Sequence, residues 1–533
     1  MQAVDVPRAG RRDWAGLAVI ALPCMLYAMD LTVLNLALPE LSADLQPSST
    51  QLLWIVDIYG FLAAGLLVTM GTLGDRIGRR RLLLAGAGAF GAVSVLAAFS
   101  PTAGWLIASR ALLGVAGATL APSTLSLIRS MFSDPGQRTL AVGVWISSFS
   151  AGGAIGPLVG GLLLESFWWG SVFLIAVPVM VLLLVLGPVL LPEFRDPEAG
   201  RLDLVSAGLS LAAVLAVIYG LKQAAQEGLG WPPLLAVLAG LALGRVFWRR
   251  QRRLRDPLID LRLFGNKAFS TALAANTLDF FVSFGALLFV AQYLQLVLGL
   301  SPIQAGLWLL PSSVGLIVGS MLAPLAVRWA RPWQVMAAGL LLGAAGFGLL
   351  TQVGTDSGLA WLVSGSVLFS VGLAPLTTLC TDLMIGVAPA DRAGAASAVA
   401  ETTSEFGGAL GIAVLGSIGT AVYRGQVGEA MPAGIPPAAA DAARDTLGGA
   451  LVVAGQLPER VGAALLDAAR EAFTAGFHLV FAVNAGLTLG IAALVVAVLR
   501  RAQTGAGAQT GAGAQTGAGT QTGAVDEPTR PNR

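Results

Sequence analysis

Seven ionisable side chains interrupt long apolar stretches of this 533-residue chain. An ionised group is costly in hydrocarbon, so each of these residues is first treated as a functional candidate. Burial disfavours the charged form of a carboxyl group, which lets a buried acid exchange protons near neutral pH. The same carboxylate can hold an organic cation, but it cannot hold the proton and the cation together. The seven residues are Asp30, Asp57, Arg110, Asp279, Asp382, Glu401 and Glu405.

Depth within the apolar stretches separates these side chains. Asp30, Asp279 and Glu405 lie deepest, and we expect them to exchange protons and to bind a cationic substrate. Asp57 and Arg110 lie at matched depth, about 8–9 Å from a helix end. This match predicts an ion pair, either between the two residues or through Asp30, with a structural, gating or proton-handling role.

Glu401 and Glu405 are four residues apart and therefore share one face of a helix. Two such close carboxylates rarely ionise together in a low dielectric, so we expect at least one to carry a proton. The alternative is a pair of polar groups that joins neighbouring helices. Asp382 lies near a helix end, where the pattern predicts contact with water.

Aromatic rings complete a possible cation site, because a ring face attracts a desolvated cation by ~1–2 kcal/mol. Core packing or lipid contact remains the commoner role of any single ring. The aromatic candidates for substrate binding are Trp54, Trp145, Phe149, Phe281 and Trp308.

The elements that position these residues follow from composition. With 56% hydrophobic residues, 12% charged residues and a mean hydropathy of +0.77, the chain is expected to be an all-α polytopic membrane protein. Cys24 and Cys380 lie in apolar runs and are interpreted as packing residues. A single histidine excludes His-based metal sites and catalytic triads, and no Walker motif is present. We therefore expect no enzymatic activity, cofactor, metal or nucleic-acid partner.

A helix that spans a bilayer needs ~20 apolar residues, and about fourteen stretches qualify. They are 14–38, 52–73, 82–99, 104–128, 139–163, 170–191, 204–221, 232–247, 268–296, 304–327, 333–353, 360–387, 394–422 and 477–499. Most basic residues fall in loops on one side, which predicts cytoplasmic N- and C-termini.

These spans divide into domains. We predict a cytoplasmic N-terminus (1–13), a six-helix bundle (14–191), two additional spans (204–247), a basic linker (248–267), a second six-helix bundle (268–499) and a disordered tail (500–533). The second bundle includes an external loop (423–476), in which residues 458–475 form an amphipathic helix. The tail repeats Gln-Thr-Gly-Ala, a pattern typical of linkers.

Two glycine-containing motifs are candidates for conformational gating. The basic loop 71–81 contains Gly71, Asp75, Arg76, Gly78 and Arg79, and an acid there can pair with the opposing bundle. In the fifth span, glycines at four-residue spacing form a flat packing face with a proline that can kink the helix. Those residues are Gly152, Gly156, Pro157 and Gly160.

These motifs resemble those of the major facilitator superfamily, and within it the fourteen-helix drug:proton antiporters that export quaternary ammonium compounds and biocides. The basic loop, the segment 30–39, Arg110 with its following glycines, and the segment 152–161 carry the resemblance. It implies a cofactor-free exporter of hydrophobic, mainly cationic drugs, dyes and antiseptics that is driven by the proton gradient. It further implies a monomer in the bacterial cytoplasmic membrane, with Asp30, Asp57, Arg110, Glu401 and Glu405 in proton coupling.

Other functions stay open at this point. Within transport, the alternative is export of one endogenous product, such as an antibiotic or a lipid. A nutrient symporter would be expected to place more Asn, Gln and His in its spans. A membrane sensor would tolerate neutral residues at Asp30 and Glu405, whereas an antiporter would not.

Overall fold

Helices form every regular element in the part of the chain that the structure describes. The computed structural model describes residues 8–47, 49–195, 203–227, 230–254, 257–259, 261–354, 358–389, 393–432 and 434–516. The α-helices are α1 Arg11–Leu45, α2 Ser49–Ile77, α3 Arg79–Ala98, α4 Ala103–Gly117, α5 Leu120–Met131, α6 Pro135–Ser166, α7 Ser171–Leu174, α8 Ala176–Leu190, α9 Leu204–Glu227, α10 Trp231–Gln251, α11 Lys267–Gln292, α12 Pro302–Ala326, α13 Pro332–Leu350, α14 Gly358–Val387, α15 Ala393–Glu429, α16 Pro437–Asp445, α17 Leu447–Ala454 and α18 Glu459–Thr516.

Fourteen helical segments of the described chain are long and apolar enough to cross a membrane, which confirms the predicted fold class. They bury two main hydrophobic cores. One core joins helices α1 to α8, and the other joins α11 to α18. Helix α4 and helix α5 together make one crossing, as do α7 and α8.

Capping residues mark where several helices begin. Asp134 accepts a hydrogen bond from the Gln137 backbone N–H, and Pro135 occupies the first turn of α6. Ser301 and Gln304 cap α12 reciprocally. Such caps satisfy backbone N–H groups that have no partner inside the helix.

Helices α9 and α10 form a hairpin on one side of the two bundles. Helix α9 packs on α2 of the first bundle and on α15 of the second. At one end Arg250 Nε donates to Asp203 at 2.8 Å, and this hydrogen bond holds the pKa of the Asp203 carboxyl well below its usual range. The predicted pair of additional spans is therefore a hairpin that contacts both halves.

The predicted external loop is mostly helical instead. Helix α15 continues to Glu429, α16 and α17 follow, and α18 runs without a break from Glu459 into the last span. The apolar face of the predicted amphipathic segment is buried in the second core, since Leu465 is 0% exposed. Helix α18 also continues to Thr516, into the repeat predicted to be disordered. Residues 517–533 lie outside the described residues.

The glycine face of α6 packs against α1, as its spacing predicts. Gly152, Gly156 and Gly160 are buried. A Cβ added at Gly152 would lie 2.0 Å from the Met25 carbonyl oxygen, so only glycine permits this approach. Helix α6 runs unbroken through position 157, whose side chain lies outside the described residues.

The α1–α6 contact gives a stability test. We expect Gly152→Ala to lower the melting temperature of the detergent-solubilised protein by several degrees, because overpacking costs about 1–3 kcal/mol. Gly153→Ala is the matched control, since nothing lies within 4 Å of its added Cβ. Both variants gain the same helix propensity, about 1 kcal/mol. Equal melting temperatures would contradict the close contact.

Candidate functional site

Asp75 joins the two halves of the protein at one end of the interface, named here the latched end. It is the end at which α2 and α14 finish and α6 and α15 begin. The Asp75 carboxylate, 6% exposed, accepts hydrogen bonds from the backbone N–H groups of Gly394 and Ala395, both at 3.1 Å. These groups belong to the first turn of α15, where the helix dipole favours an anion. Arg79 donates to Asp75 at 3.0 Å and to the Ser126 carbonyl at 3.2 Å.

The sequence predicted that Asp75 would meet cationic groups of the opposing bundle. In the structure the opposing groups are backbone N–H donors, and the cation, Arg79, comes from the same half. The expected pairing across the halves is therefore present with a different partner. A helix N-terminus carries partial positive charge that side-chain types do not reveal.

A second set of contacts closes the other side of the latched end. Arg138 Nε lies 2.5 Å from Asp382 Oδ1, and the Thr139 hydroxyl donates to Asp382 Oδ2 at 2.8 Å. Arg129 donates to the Ile385 carbonyl at 3.1 Å, near the end of α14. Asp382 was expected to contact water; its side chain is 13% exposed, and its carboxylate is mostly taken up by Arg138 and Thr139. It forms an ion pair between the halves.

Close backbone approach supports both sets of contacts. A Cβ at Gly71 would lie 2.4 Å from the Gly394 carbonyl oxygen, and one at Gly143 would lie 2.9 Å from that of Ser320. Small residues are therefore needed where α2 meets α15 and where α6 meets α12. The two halves are tightly packed at the latched end.

The basic loop is also braced within its own half. Gly78 has φ +113°, a conformation that favours glycine, and its missing Cβ leaves room for the Glu193 carboxylate. Arg80 lies 3.5 Å and Arg81 3.7 Å from that carboxylate. Arg76 is half-buried. The loop thus packs against the chain that follows α8.

Asp30 and Arg110 form an ion pair inside the first bundle. Arg110 Nη1 lies 2.5 Å from Asp30 Oδ2, and Arg110 is 1% exposed. Its guanidinium also covers the Tyr59 ring at 4.6 Å and donates to the Ile55 carbonyl at 3.1 Å. The structure thus pairs Arg110 with Asp30, and the predicted link of Asp57 to either residue stays a prediction. The Asp57 side chain lies outside the described residues.

Glu401 and Glu405 lie on α15, on the side that meets the first bundle. Both residues lie within electrostatic range of the Tyr27 hydroxyl of α1, as does Asp30. Both glutamates are half-buried. We name Asp30, Arg110, Tyr27, Glu401 and Glu405 the charged seam. It joins residues of both halves around one tyrosine, which makes it suited to bind a cation or a proton.

Aromatic rings line the first-bundle side of the charged seam. Tyr27 lies 5.7 Å from Tyr59 and 6.1 Å from Phe149, and Phe149 lies 4.7 Å from Trp145. The Trp145 indole donates to Thr124 at 2.9 Å, which orients the ring. Sequence reasoning had missed Tyr27 and Tyr59. The three-residue spacing of Tyr27 and Asp30, on one helix face, was the available signal.

Three other predicted aromatic residues lie outside this cluster. Trp54 is 41% exposed and contacts Phe61, while Trp308 is 43% exposed. Phe281 is buried in the second core, where its carbonyl oxygen would lie 2.1 Å from a Cβ at Gly411. Proximity in sequence to an acid therefore did not identify rings that face the seam.

The side-chain hydrogen-bond partner of Asp279 is a residue outside the charged seam. Asp279 is 2% exposed on α11, and the Thr377 hydroxyl of α14 donates to its Oδ2 at 2.5 Å. That Asp279 extends a substrate site stays a prediction; its hydrogen-bond partner in the structure belongs to a helix of its own bundle. A neighbouring pair on α11 and α15, Asn276 and Ser404, is hydrogen-bonded at 2.8 Å.

The latched end gives a test of conformational control. We expect Asp75→Asn to open this end, because the helix-dipole contact, worth up to about 2 kcal/mol, loses its charge. A reporter cysteine at Ser320, 0% exposed in the structure, should then react several-fold faster with a membrane-permeant maleimide. The background carries Cys24→Ala and Cys380→Ala.

Glu193→Gln is the matched control, since Glu193 contacts the same basic loop without crossing to the other half. Its reporter should react at the wild-type rate. If the reporter cysteine reacted with the maleimide as slowly in Asp75→Asn as in the control, the proposed role of Asp75 in holding this end closed would be contradicted.

Comparisons with known proteins agree with this architecture. Residues 20–412 match the model of the Major Facilitator Superfamily. The multidrug efflux pump LfrA of Mycolicibacterium smegmatis is 46% identical, over 93% of this chain and 98% of the relative. The methyl viologen resistance protein SmvA of Salmonella typhimurium is 39% identical, over 87% and 93%. A tetracenomycin C resistance and export protein of Streptomyces glaucescens is 34% identical, over 92% of each chain.

A solved structure shows the same fold at low identity. The human organic anion transporter MFSD10 superposes with a TM-score of 0.59 and 15% identity, covering 91% of this chain and 99% of the other. The sequence resemblance is confirmed over most of the chain. This chain is a member of the Major Facilitator Superfamily.

Proposed function

We propose that this protein is a proton-coupled exporter of hydrophobic organic cations in the bacterial inner membrane. The charged seam carries the proposal, because it places Glu401 and Glu405 of one half opposite Tyr27 and the Asp30–Arg110 pair of the other. The names of relatives that confer multidrug efflux and methyl viologen resistance support the same reading. Protons supply the driving force, and no cofactor is needed.

Competition at the seam couples the two movements. A carboxylate of Glu401 or Glu405 that holds a cation must release it when a proton binds. The ring faces of Tyr27 and Phe149 add attraction for a desolvated cation. Arg110 holds Asp30 in an ion pair, and Asp30 completes the proposed proton pathway.

Alternating access then follows from the two halves. With both termini in the cytoplasm, the latched end is the cytoplasmic end, and this conformation is closed to the cytoplasm. Opening requires release of Asp75 from α15 and of Asp382 from Arg138. As the family resemblance implies, Asp57 takes part in proton coupling, and the glycine face of α6 takes part in the conformational change. The protein acts as a monomer.

Export of one endogenous product is the second candidate. The relative named for tetracenomycin C export favours it. A resistance profile separates the two functions. Cells that express a multidrug exporter should tolerate structurally unrelated cationic dyes and antiseptics, whereas a dedicated exporter should protect against one compound class.

Substitution of seam acids tests the coupling. We expect Asp30→Asn and Glu405→Gln each to reduce proton-driven ethidium efflux at least tenfold, because each removes a carboxylate that proton exchange needs. The measurement is dye efflux from vesicles with an imposed pH gradient. Glu165→Gln, an exposed acid at the end of α6, is the control and should retain full activity. A variant that exports at the control rate has no coupling role at that position.

Membrane potential tests the stoichiometry. Exchange of two protons for one monovalent cation moves net charge, and each charge gains ~2.3 kcal/mol per 100 mV. We therefore expect a valinomycin-imposed potential alone to accelerate ethidium export several-fold. Equal rates with and without the potential would instead indicate one-for-one exchange.

A further inference from the structure

Asp279 is a buried acid that forms no ion pair in the described structure. Asp279 is 2% exposed, and its Oδ2 is hydrogen-bonded to the Thr377 hydroxyl. The other oxygen, Oδ1, has no hydrogen-bond partner among the described residues. A buried carboxylate that lacks both a cation and a full set of donors strongly favours its neutral form.

Asp30 provides an internal comparison, because each acid lies on the first helix of its bundle and contacts the fourth. Asp30 on α1 meets the guanidinium of Arg110 on α4, so its negative charge is compensated. Asp279 on α11 meets only the neutral hydroxyl of Thr377 on α14. The two bundles thus place an acid on corresponding helices, but only the acid of the first bundle has a cation beside it.

Groups on the helices around Asp279 do not supply the missing charge. On α14, Cys380 near Asp279 offers a thiol rather than a cation, and Asp382 is bound to Arg138. On α15, Glu401 and Glu405 are themselves acids and supply no positive charge. On α18, the buried polar residues that pack in this core, Asn484 and Thr488, are neutral.

We propose that Asp279 and Thr377 form a second proton-binding site, which holds a proton in this conformation. The proton adds to Oδ2, so that the new O–H donates to the Thr377 oxygen across the 2.5 Å contact, which reverses the direction that this hydrogen bond has when the acid is ionised. The Thr377 hydroxyl then donates to the Leu373 carbonyl at 3.5 Å. No bond other than O–H forms, and Oδ1 remains as the carbonyl oxygen of a neutral acid. The site supplies the second proton of the exchange, so its effect on transport rests on the proposed function.

The transport test uses Asp279→Asn, which keeps the shape of the side chain but cannot take up a proton. Ethidium efflux is measured in vesicles with a valinomycin-imposed potential alone and with a pH gradient alone. We expect the several-fold acceleration by potential to disappear in the variant, while the pH gradient still drives export. The control variant is Glu165→Gln, which should respond to the potential and to the pH gradient as the wild-type protein does.

Each result of this test has one meaning. Acceleration of Asp279→Asn by potential to the wild-type extent overturns the proposal. So does a loss confined to bis-cationic biocides with the potential response intact, which would assign Asp279 to the substrate site. Absence of ethidium export by the wild type would instead contradict the proposed function.

A second measurement needs neither transport nor a folded variant. Dicyclohexylcarbodiimide adds to protonated carboxyl groups in apolar surroundings, because the acid protonates the reagent nitrogen and its oxygen bonds to the central carbon. We expect peptide mass spectrometry of the treated wild-type protein to find at least fivefold more adduct at Asp279 than at Asp30, whose partner is Arg110. Equal or lower modification at Asp279 would overturn the proposal.

Discussion

The contact between the Asp75 carboxylate and the first turn of α15 is the interaction on which the rest of the structure depends. Helix α15 also carries Glu401 and Glu405, roughly 9 and 15 Å further along its axis than Ala395. It packs against α11 through Gly407 and Gly411, whose added Cβ atoms would lie 2.3 and 2.1 Å from backbone oxygens. One helix therefore carries both the N-terminal contact at the latched end and the acids of the charged seam.

The cost of charge in hydrocarbon explains why each ionisable residue has its particular surroundings. Asp30 is compensated by a guanidinium, and Asp75 by Arg79 together with two backbone N–H groups. Asp382 finds its cation in the other half. Contacts of this last kind must break when the halves separate, so the same electrostatics that stabilises one conformation also sets the barrier to the next. Asp279 differs from these three acids, because its hydrogen-bond partner is a neutral hydroxyl.

Much of the architecture could be predicted, whereas the partners of the charged groups largely could not. Fourteen apolar helices and the acids Asp30, Glu401 and Glu405 follow from hydropathy and from the rarity of charge in a span. An ion pair of Arg110 through Asp30 was one of the two alternatives that the sequence left open. The role of Asp382 was missed because water and a cation from another helix are equally compatible with a position near a helix end. The helical segment between α15 and α18 was taken for a loop, since its small and polar residues resemble a linker until its apolar face meets the second core.

The sequence by itself determined the class of the protein, its number of membrane crossings and the residues at which charge enters the bilayer. These properties depend on local composition and on spacing along one helix, which the order of residues contains directly. Only the tertiary structure decided which groups meet, because Asp75 and Gly394 are 319 residues apart and approach only when α2 packs on α15. It likewise decided that Tyr27 and Phe149 face the charged seam while Trp54 and Trp308 do not. The rotation of each helix about its axis and its packing against neighbouring helices decide which rings face the interior. A local sequence pattern does not specify these two properties together.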